Sequence, residues 1–135
     1  MLTLAIIKPD AVQAANTGKI LAHLEQEGFV VRAARLVKLT TTQAEAFYEV
    51  HRARPFYRPL VTFMTSGPVL ALALERENAV LHLRDVIGAT DPAEAKAGTV
   101  RKLYAQSKER NAIHASDSAE TAAREVAFFF PELAP

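Results

Sequence analysis

The residue types with most chemical reach lie near the end of the chain, in Asn111-Ala112-Ile113-His114-Ala115-Ser116-Asp117-Ser118. A histidine at the end of a short strand, where the chain turns polar and enters a helix, can present its ring to a cleft. A free imidazole titrates at about pH 6.5, so roughly three quarters of such rings are neutral at pH 7 and nucleophilic. A second group, Lys8, Arg84, Thr90 and Arg101, is scattered through the chain, each member near a Pro or Gly turn. Phosphoryl transfer needs little covalent help beyond a nucleophile, but it needs fixed positive charge and donors around the moving group. Arginine suits that task because its planar fork holds two phosphate oxygens at once. Taken alone, the octet is met as well by a hydrogen-bonded strand-end histidine, and each arginine by solvated surface. No G-x-x-x-x-G-K-[ST] loop and no kinase-type glycine loop occurs, so any nucleotide here would be held by side chains.

Composition narrows the field. A chain of 135 residues that is 50% hydrophobic and 23% charged fits one globular domain with a real core. Its 16 basic and 15 acidic side chains nearly cancel, so bulk attraction to nucleic acid or to an anionic membrane is not the working principle. With no cysteine, disulfides, thiolate catalysis and cysteine metal sites are excluded. The four histidines, at 23, 51, 82 and 114, lack the i, i+4 spacing of a helical zinc pair. No apolar run reaches membrane-span length, and the opening block from Met1 to Lys8 has neither the length nor the basic leader of a signal peptide. The expectation is a cytoplasmic protein without a membrane partner and with no required nucleic acid.

These residues must be positioned by elements that can be read from periodicity and punctuation. Leu2 to Lys8 predicts a buried strand stopped by Lys8-Pro9-Asp10. A helix starts at Asn16 or Thr17, with a side-chain oxygen as cap, and Gly28 ends it. Phe29 to Leu39 predicts a second strand whose imperfect alternation allows a bulge. Thr40-Thr41-Thr42 caps a helix running to about His51, and a break at Arg54-Pro55 precedes a short helix with Phe56, Leu60 and Phe63. Ser66-Gly67-Pro68 turns into a strand, Val69 to Leu74, followed by a helix from Asn78 to Ile87. Gly88 to Arg110 is a long excursion with some helical turns. Asn111 to Ala115 is a short strand, and Ser118 to Phe130 the last helix, stopped by Pro131. Without the extra helical insert, the order is βαββαβ. The predicted fold is therefore α+β: a ferredoxin-like antiparallel sheet with helices on one face.

Seven motifs in order then give the chain a family likeness: A-I-I-K-P-D at 5–10, F-Y-E-V-H at 47–51, R-P-F-Y at 54–57, M-T-S-G-P at 64–68, G-A-T-D-P at 88–92, G-T-V-R at 98–101 and N-A-I-H-A-S-D-S at 111–118. On these motifs the chain resembles the nucleoside diphosphate kinases nearly end to end. The resemblance implies that His114 carries a transient phosphate on Nδ1, with Glu125 orienting its ring and Ser116 bonded to that glutamate. Lys8 and Asn111 look like the pair that touches the ribose hydroxyls and the transferring region. Arg84, Thr90 and Arg101 resemble the groups gripping the phosphates, and Tyr48 the hydroxyl beside the histidine. Phe56 resembles the aromatic that stacks on the base, with Leu60 beside it and Lys108 at the position covering its other side. ATP and other nucleoside tri- and diphosphates would be the partners, in ping-pong order and with broad base tolerance. Mg²⁺ would arrive bridging the nucleotide's phosphates, with no dedicated protein cage.

Four positions depart from the family's pattern. Ala115 stands where a glycine follows the histidine, and Lys108 where an apolar residue covers the base. Leu103 replaces an aspartate after the second phosphate arginine, and Pro59 a glycine before Leu60. None removes a reacting group. They leave room for an alternative, a catalytically weak member acting as a nucleotide-binding or regulatory protein. A ferredoxin-like RNA-binding module is disfavoured, because the strands carry Ile, Val, Leu and Ala instead of exposed aromatics. The second strand is an edge, long, apolar and guarded only by Arg32, Arg35 and Lys38, so a homo-oligomer built from dimers is expected. The resemblance implies a tetramer or hexamer, to which the short tail from Glu132 to Pro135 adds little.

Overall fold

The computed structural model describes residues 1–133; Ala134 and Pro135, the end of the expected tail, lie outside the described residues. Four strands form one sheet, β1 (Leu2–Ile7), β2 (Val30–Val37), β3 (Val69–Glu75) and β4 (Ile113–Ala115), in the order β2-β3-β1-β4. Every neighbouring pair is antiparallel, which is the ferredoxin-like arrangement that the order of elements predicts. Among the described residues seven α-helices accompany them: α1 (Pro9–Gln13), α2 (Thr17–Gln26), α3 (Thr41–Phe47), α4 (Tyr57–Met64), α5 (Ala79–Ile87), α6 (Val100–Tyr104) and α7 (Ala119–Phe129).

The central strands read as nearly continuous apolar runs, LTLAII and VLALALE, instead of alternating. The physical reason is that both faces of the sheet are covered. Ala5, Ile7, Leu70, Leu72 and Leu74 pack against Ile20 and Leu24 of α2 and Leu83, Val86 and Ile87 of α5. Leu4, Ile6, Val69, Ala71 and Ala73 pack against Ala44 and Phe47 of α3, Tyr57, Val61 and Met64 of α4, and Val126 and Phe129 of α7. The expectation of helices on one face thus holds for the two crossover helices, α2 and α5. The insert and the C-terminal helix fill the opposite face.

Local signals decide the element ends. Thr40 Oγ1 accepts the Gln43 N–H at 3.1 Å and Gln43 Oε1 accepts the Thr40 N–H at 2.9 Å, a reciprocal cap that starts α3. That helix stops at Phe47, and a single 3₁₀ turn over Glu49–His51 replaces the expected continuation. The side-chain cap expected for α2 is not made; Asn16 precedes the helix bonded through its backbone alone, its N–H donating to the Ala11 carbonyl at 3.0 Å and its carbonyl accepting the Ile20 N–H at 3.0 Å. The bulge expected in β2 falls between Val31 and Ala33. Lys8-Pro9-Asp10 stops β1 as expected and also starts α1, since Pro at the first helical position loses no hydrogen bond. The long excursion contains α6, capped by Thr99.

Candidate active site

β4 is the element on which the site is built. His114 lies opposite Ile6 across the β1–β4 ladder, so its ring falls on the sheet face covered by α3, α4 and α7. The ring meets Phe47 edge-on at 5.4 Å and Tyr48 at 6.2 Å between centroids. His114 Nε2–H donates to Glu125 Oε1 at 2.8 Å, and the Ser116 hydroxyl donates to the same oxygen at 2.8 Å. A carboxylate only accepts, so in the neutral ring the proton sits on Nε2 and Nδ1 keeps its lone pair. The His114 side chain is 19% exposed and that of Glu125 10%, which leaves the ring reachable while its orienting partner is shielded. The Tyr48 hydroxyl is buried without a hydrogen-bond partner among the described residues. Burial, and then the charge of Glu125, push its ionisation above the ordinary phenol range.

The approach to β4 is a tight turn. Ala112 has φ of +76° and is fully buried, and the Ile113 N–H reaches back to the Asn111 carbonyl at 2.9 Å. An i→i+2 bond closed around a residue with positive φ is the rarer and more strained γ-turn. Lys8 clamps it from the link between β1 and α1: its N–H donates to the Ala112 carbonyl at 2.9 Å and its Nζ to Asn111 Oδ1 at 2.8 Å. Asn111 Nδ2 donates in turn to the Thr90 carbonyl at 3.4 Å. Burial, assisted by the charge of Arg101 and opposed by that of Asp10, lowers the Lys8 ammonium to about 8.

Arg84 of α5 and Arg101 of α6 meet the outer edge of β4. Arg84 donates to the Ala115 carbonyl at 3.3 Å. Arg101 donates to the Ile113 carbonyl at 2.8 Å and to the Gly88 carbonyl at 2.9 Å. These guanidinium groups cap backbone acceptors that a bare edge strand would offer to another chain. Neither has a carboxylate partner among the described residues. Burial, and then the neighbouring Arg84, bring Arg101 down to about 10. Two adjacent cations without carboxylate partners among the described residues thus hold the backbone on either side of His114, an arrangement that can attract an anion.

Beside the turn opens a cavity of about 470 Å³ lined by Lys8, Asn111, Thr90, Phe56, Leu60 and Lys108, with Pro59, Phe63 and Glu109. That volume suits a small ligand. Phe56 is 48% exposed, with one side backed by His51 at 5.2 Å between centroids and a face left open. Lys108 reaches toward Asp91, 4.0 Å away at the mouth. All twelve expected site residues therefore gather in three adjoining groups around β4, although His114 does not line the cavity itself. Sequence reasoning passed over Asp10, Phe47, His51, Phe63 and Glu109. Asp10 carried a signal as the acid closing A-I-I-K-P-D, Phe47 and His51 as the two ends of F-Y-E-V-H, and Phe63 as an apolar member of the helix with Phe56 and Leu60.

The family model for nucleoside diphosphate kinase matches residues 2–134. The chain belongs to the nucleoside diphosphate kinase family. It is 56% identical over 135 residues to the nucleoside diphosphate kinase of Sorangium cellulosum (strain So ce56), covering 98% of this chain and 94% of that protein. The Leptothrix cholodnii (strain ATCC 51168 / LMG 8142 / SP-6) nucleoside diphosphate kinase is 54% identical over 132 residues, covering 98% of this chain and 94% of its own. Among solved structures, that of the Aquifex aeolicus nucleoside diphosphate kinase superposes with a TM-score of 0.94 at 46% identity, over 96% of this chain and 94% of its own. The Encephalitozoon cuniculi nucleoside diphosphate kinase gives 0.92 at 33% identity, over 96% and 88%. The chain is thus an enzyme of nucleotide phosphotransfer, a nucleoside diphosphate kinase by family and by fold.

The four departures can now be placed. Ala115 lies in β4 and is not among the residues with positive φ, so its methyl adds no backbone strain. Pro59 occupies the first turn of α4 and lines the cavity, a position where proline is tolerated. Leu103 is exposed on α6. Lys108 keeps its place at the cavity, with its stem able to cover apolar surface while the ammonium stays in water.

Proposed function

We propose that the chain transfers the γ-phosphate of a nucleoside triphosphate to a nucleoside diphosphate in two half-reactions, through a phosphate carried on His114. The observation that carries this reading is the bond between His114 Nε2 and Glu125, which leaves Nδ1 as the free nucleophilic nitrogen. In the first half-reaction the Nδ1 lone pair attacks the γ-phosphorus and the bond to the departing diphosphate breaks. In the second, a terminal oxygen of the incoming diphosphate attacks the same phosphorus and the P–N bond breaks. Glu125, held by Ser116, keeps the ring's tautomer and balances its positive charge while phosphorylated.

The remaining roles follow from position. Arg84, Thr90 and Arg101 take the phosphates, supported by the absence of counter-ions around the two guanidinium groups. Lys8 and Asn111 take the ribose hydroxyls and the oxygens nearest the transfer, since they join the cavity to the turn before His114. Phe56 stacks on the base, flanked by Leu60 and with Lys108 opposite; an aromatic face accepts any base, which supports broad tolerance. Tyr48 lends its hydroxyl beside the histidine. No group of three or more His, Asp or Glu side chains that could hold a metal ion exists among the described residues. The chain's side chains therefore fit Mg²⁺ only as an ion held by the nucleotide's own phosphates, where it would neutralise part of their charge.

One domain spanning residues 1–135 carries the activity, and the protein works as a homo-oligomer built from dimers. Support for assembly comes from the sheet's two edges. Arginines cap β4, whereas β2 is bonded only to β3 and exposes Val30 and Leu36, at 55% and 65%. A cytoplasmic location belongs to the same reading, in keeping with no described helix being long and apolar enough to cross a membrane. Mixing the pure protein with ATP labelled on its γ-phosphate tests the reaction. Acid-labile, base-stable label should appear on the protein and chase onto ADP, GDP, CDP and UDP alike. It should be lost in His114→Ala. Steady-state transfer by that variant above about one per cent of wild type would exclude the phosphohistidine route.

A further inference from the structure

Asp10 is a buried acid that none of these roles uses. It sits in the second position of α1, only 4% exposed. Its Oδ2 accepts the backbone N–H of Ala112 at 3.1 Å, across 102 residues of sequence. Its Oδ1 has no hydrogen-bond partner among the described residues. Burying a carboxylate with one bond is costly, and a packing role alone would be filled at less cost by an apolar side chain.

What the bond holds is the strained residue between Asn111 and His114. Three interactions define that turn: the Asp10 carboxylate on the Ala112 N–H, the Lys8 N–H on the Ala112 carbonyl, and the Ile113-to-Asn111 closure. Alanine gains nothing by itself from φ of +76°, so the conformation persists only because its surroundings over-determine it. Lys8, Pro9 and Asp10 act as one bracket: the two ends grip opposite sides of the Ala112 peptide groups, and the proline between them fixes the start of α1. Through this bracket the Asn111 amide is presented to the Lys8 ammonium, and the strand bearing His114 starts in a set direction.

We propose that Asp10 is a positioning residue for phosphoryl transfer, holding the Ala112 turn that aligns Lys8 and Asn111 with His114. Its charge has a second effect. The groups facing the Lys8 ammonium are Asp10 from α1, Arg101 from α6, the neutral Asn111 amide, and Lys108 and Glu109 across the cavity. Asp10 is the acid that favours the protonated amine against burial and Arg101. The proposal rests on the phosphohistidine reading, and the experiment separates the two.

The test compares wild type, Asp10→Ala and Asp10→Asn. Single-turnover labelling by ATP is followed from pH 6 to 10, along with amide hydrogen exchange at Ala112 and thermal unfolding. Asp10→Ala removes both acceptor and charge; its labelling rate should fall more than about tenfold, with faster exchange at Ala112. Asp10→Asn restores an acceptor for the Ala112 N–H and should recover part of that rate. It should also move the alkaline loss of nucleotide affinity to lower pH by roughly half a unit or more, a shift that a packing defect would not cause. Folded Asp10→Ala labelling within twofold of wild type, with the same pH profile, overturns the proposal. Should Asp10→Ala not fold, an Asp10→Asn profile coincident with wild type overturns it instead. Absence of acid-labile label on wild type would defeat the phosphohistidine reading alone, because exchange at Ala112 still reports whether Asp10 holds the turn.

Discussion

The His114 ring and the Glu125 carboxylate are joined at 2.8 Å through Nε2, and the oxygen that accepts this bond also accepts the Ser116 hydroxyl at 2.8 Å. A shared oxygen fixes the glutamate as well as the histidine, because its rotation would break two bonds at once. The β4 strand and helix α7 are thereby tied together at the reacting group. The lone pair on Nδ1 is a consequence of where the proton is held.

Glu125→Gln should lower the rate of His114 labelling by about ten- to a hundredfold with little change in nucleotide affinity. The lost term is a charge-assisted hydrogen bond of roughly 1.5–3 kcal/mol, and each 1.4 kcal/mol is about tenfold in rate. An amide can also donate to Nε2 and favour the other tautomer. Rapid-quench labelling with ATP measures the effect; a variant within twofold of wild type would mean that the carboxylate does not set the ring's state.

Lys8 should give the enzyme an alkaline limb. In the folded chain its ammonium is brought down to about 8 by burial and Arg101. Rising pH through that value removes the charge expected to meet the nucleotide, so kcat/KM, which reports the free enzyme, should decline above about pH 8. Stability moves the other way. Between about pH 8 and the ordinary 10.5 the unfolded chain keeps a proton that the folded chain has released. This group's contribution to stability therefore rises with pH across that window. Lys8→Met should abolish the limb; a profile that keeps it would assign the titration to another group.

The residues show which of these features were legible in the sequence. The Thr40-Thr41-Thr42 cluster announces a capped helix, and α3 starts there with Thr40 as its cap, completed by Gln43 three positions on. The long apolar runs of β1 and β3 signalled burial on both faces, although a ferredoxin-like outline drew attention to one. The gathering of Lys8 with Asn111 spans 103 residues, a distance at which no local pattern operates, and only the motif likeness brought them together. Asp10 lay outside every motif role because its partner is a backbone N–H, which carries no side-chain signature. The absence of a side-chain bond at Asn16 has the same cause: a capping residue type permits the bond, and local backbone angles decide whether it forms.

Arg101 and Arg84 should separate structural from chemical loss. Arg101→Met would strand two carbonyls, at Gly88 and Ile113, and should cost roughly 1–3 kcal/mol in urea unfolding. Arg84→Met gives up one longer bond at an exposed side chain and should cost less than about 0.5 kcal/mol. Both variants should lower kcat/KM by about tenfold or more, since each removes a phosphate donor. Equal stability losses would show that the β4 edge is not held by Arg101.

Ala115→Gly should leave the reaction type intact and change its rate by no more than about tenfold. The residue is buried in β4, 6% exposed, with ordinary strand angles. Glycine there should destabilise the strand by about 0.5–1 kcal/mol through added backbone freedom. Stopped-flow transfer rates and thermal unfolding measure both effects. A gain of several hundredfold would reveal that the methyl obstructs the nucleophile.

Assembly should follow the unguarded edge of the sheet. β2 presents free backbone groups beside Val30 and Leu36, whereas the opposite edge is capped by Arg84 and Arg101. Pairing β2 with its copy across a two-fold axis would satisfy those groups and cover the apolar side chains together. In an isologous contact each substitution acts twice, so Leu36→Lys places two charges in one interface and should weaken the dimer strongly. The fold should survive, because Leu36 is 65% exposed in the single chain. Light scattering at micromolar concentration should give a multiple of the 14.8 kDa chain mass for wild type, and a smaller assembly for Leu36→Lys. A wild-type mass near that of one chain would refute assembly, and an unchanged mass for Leu36→Lys would place the interface elsewhere.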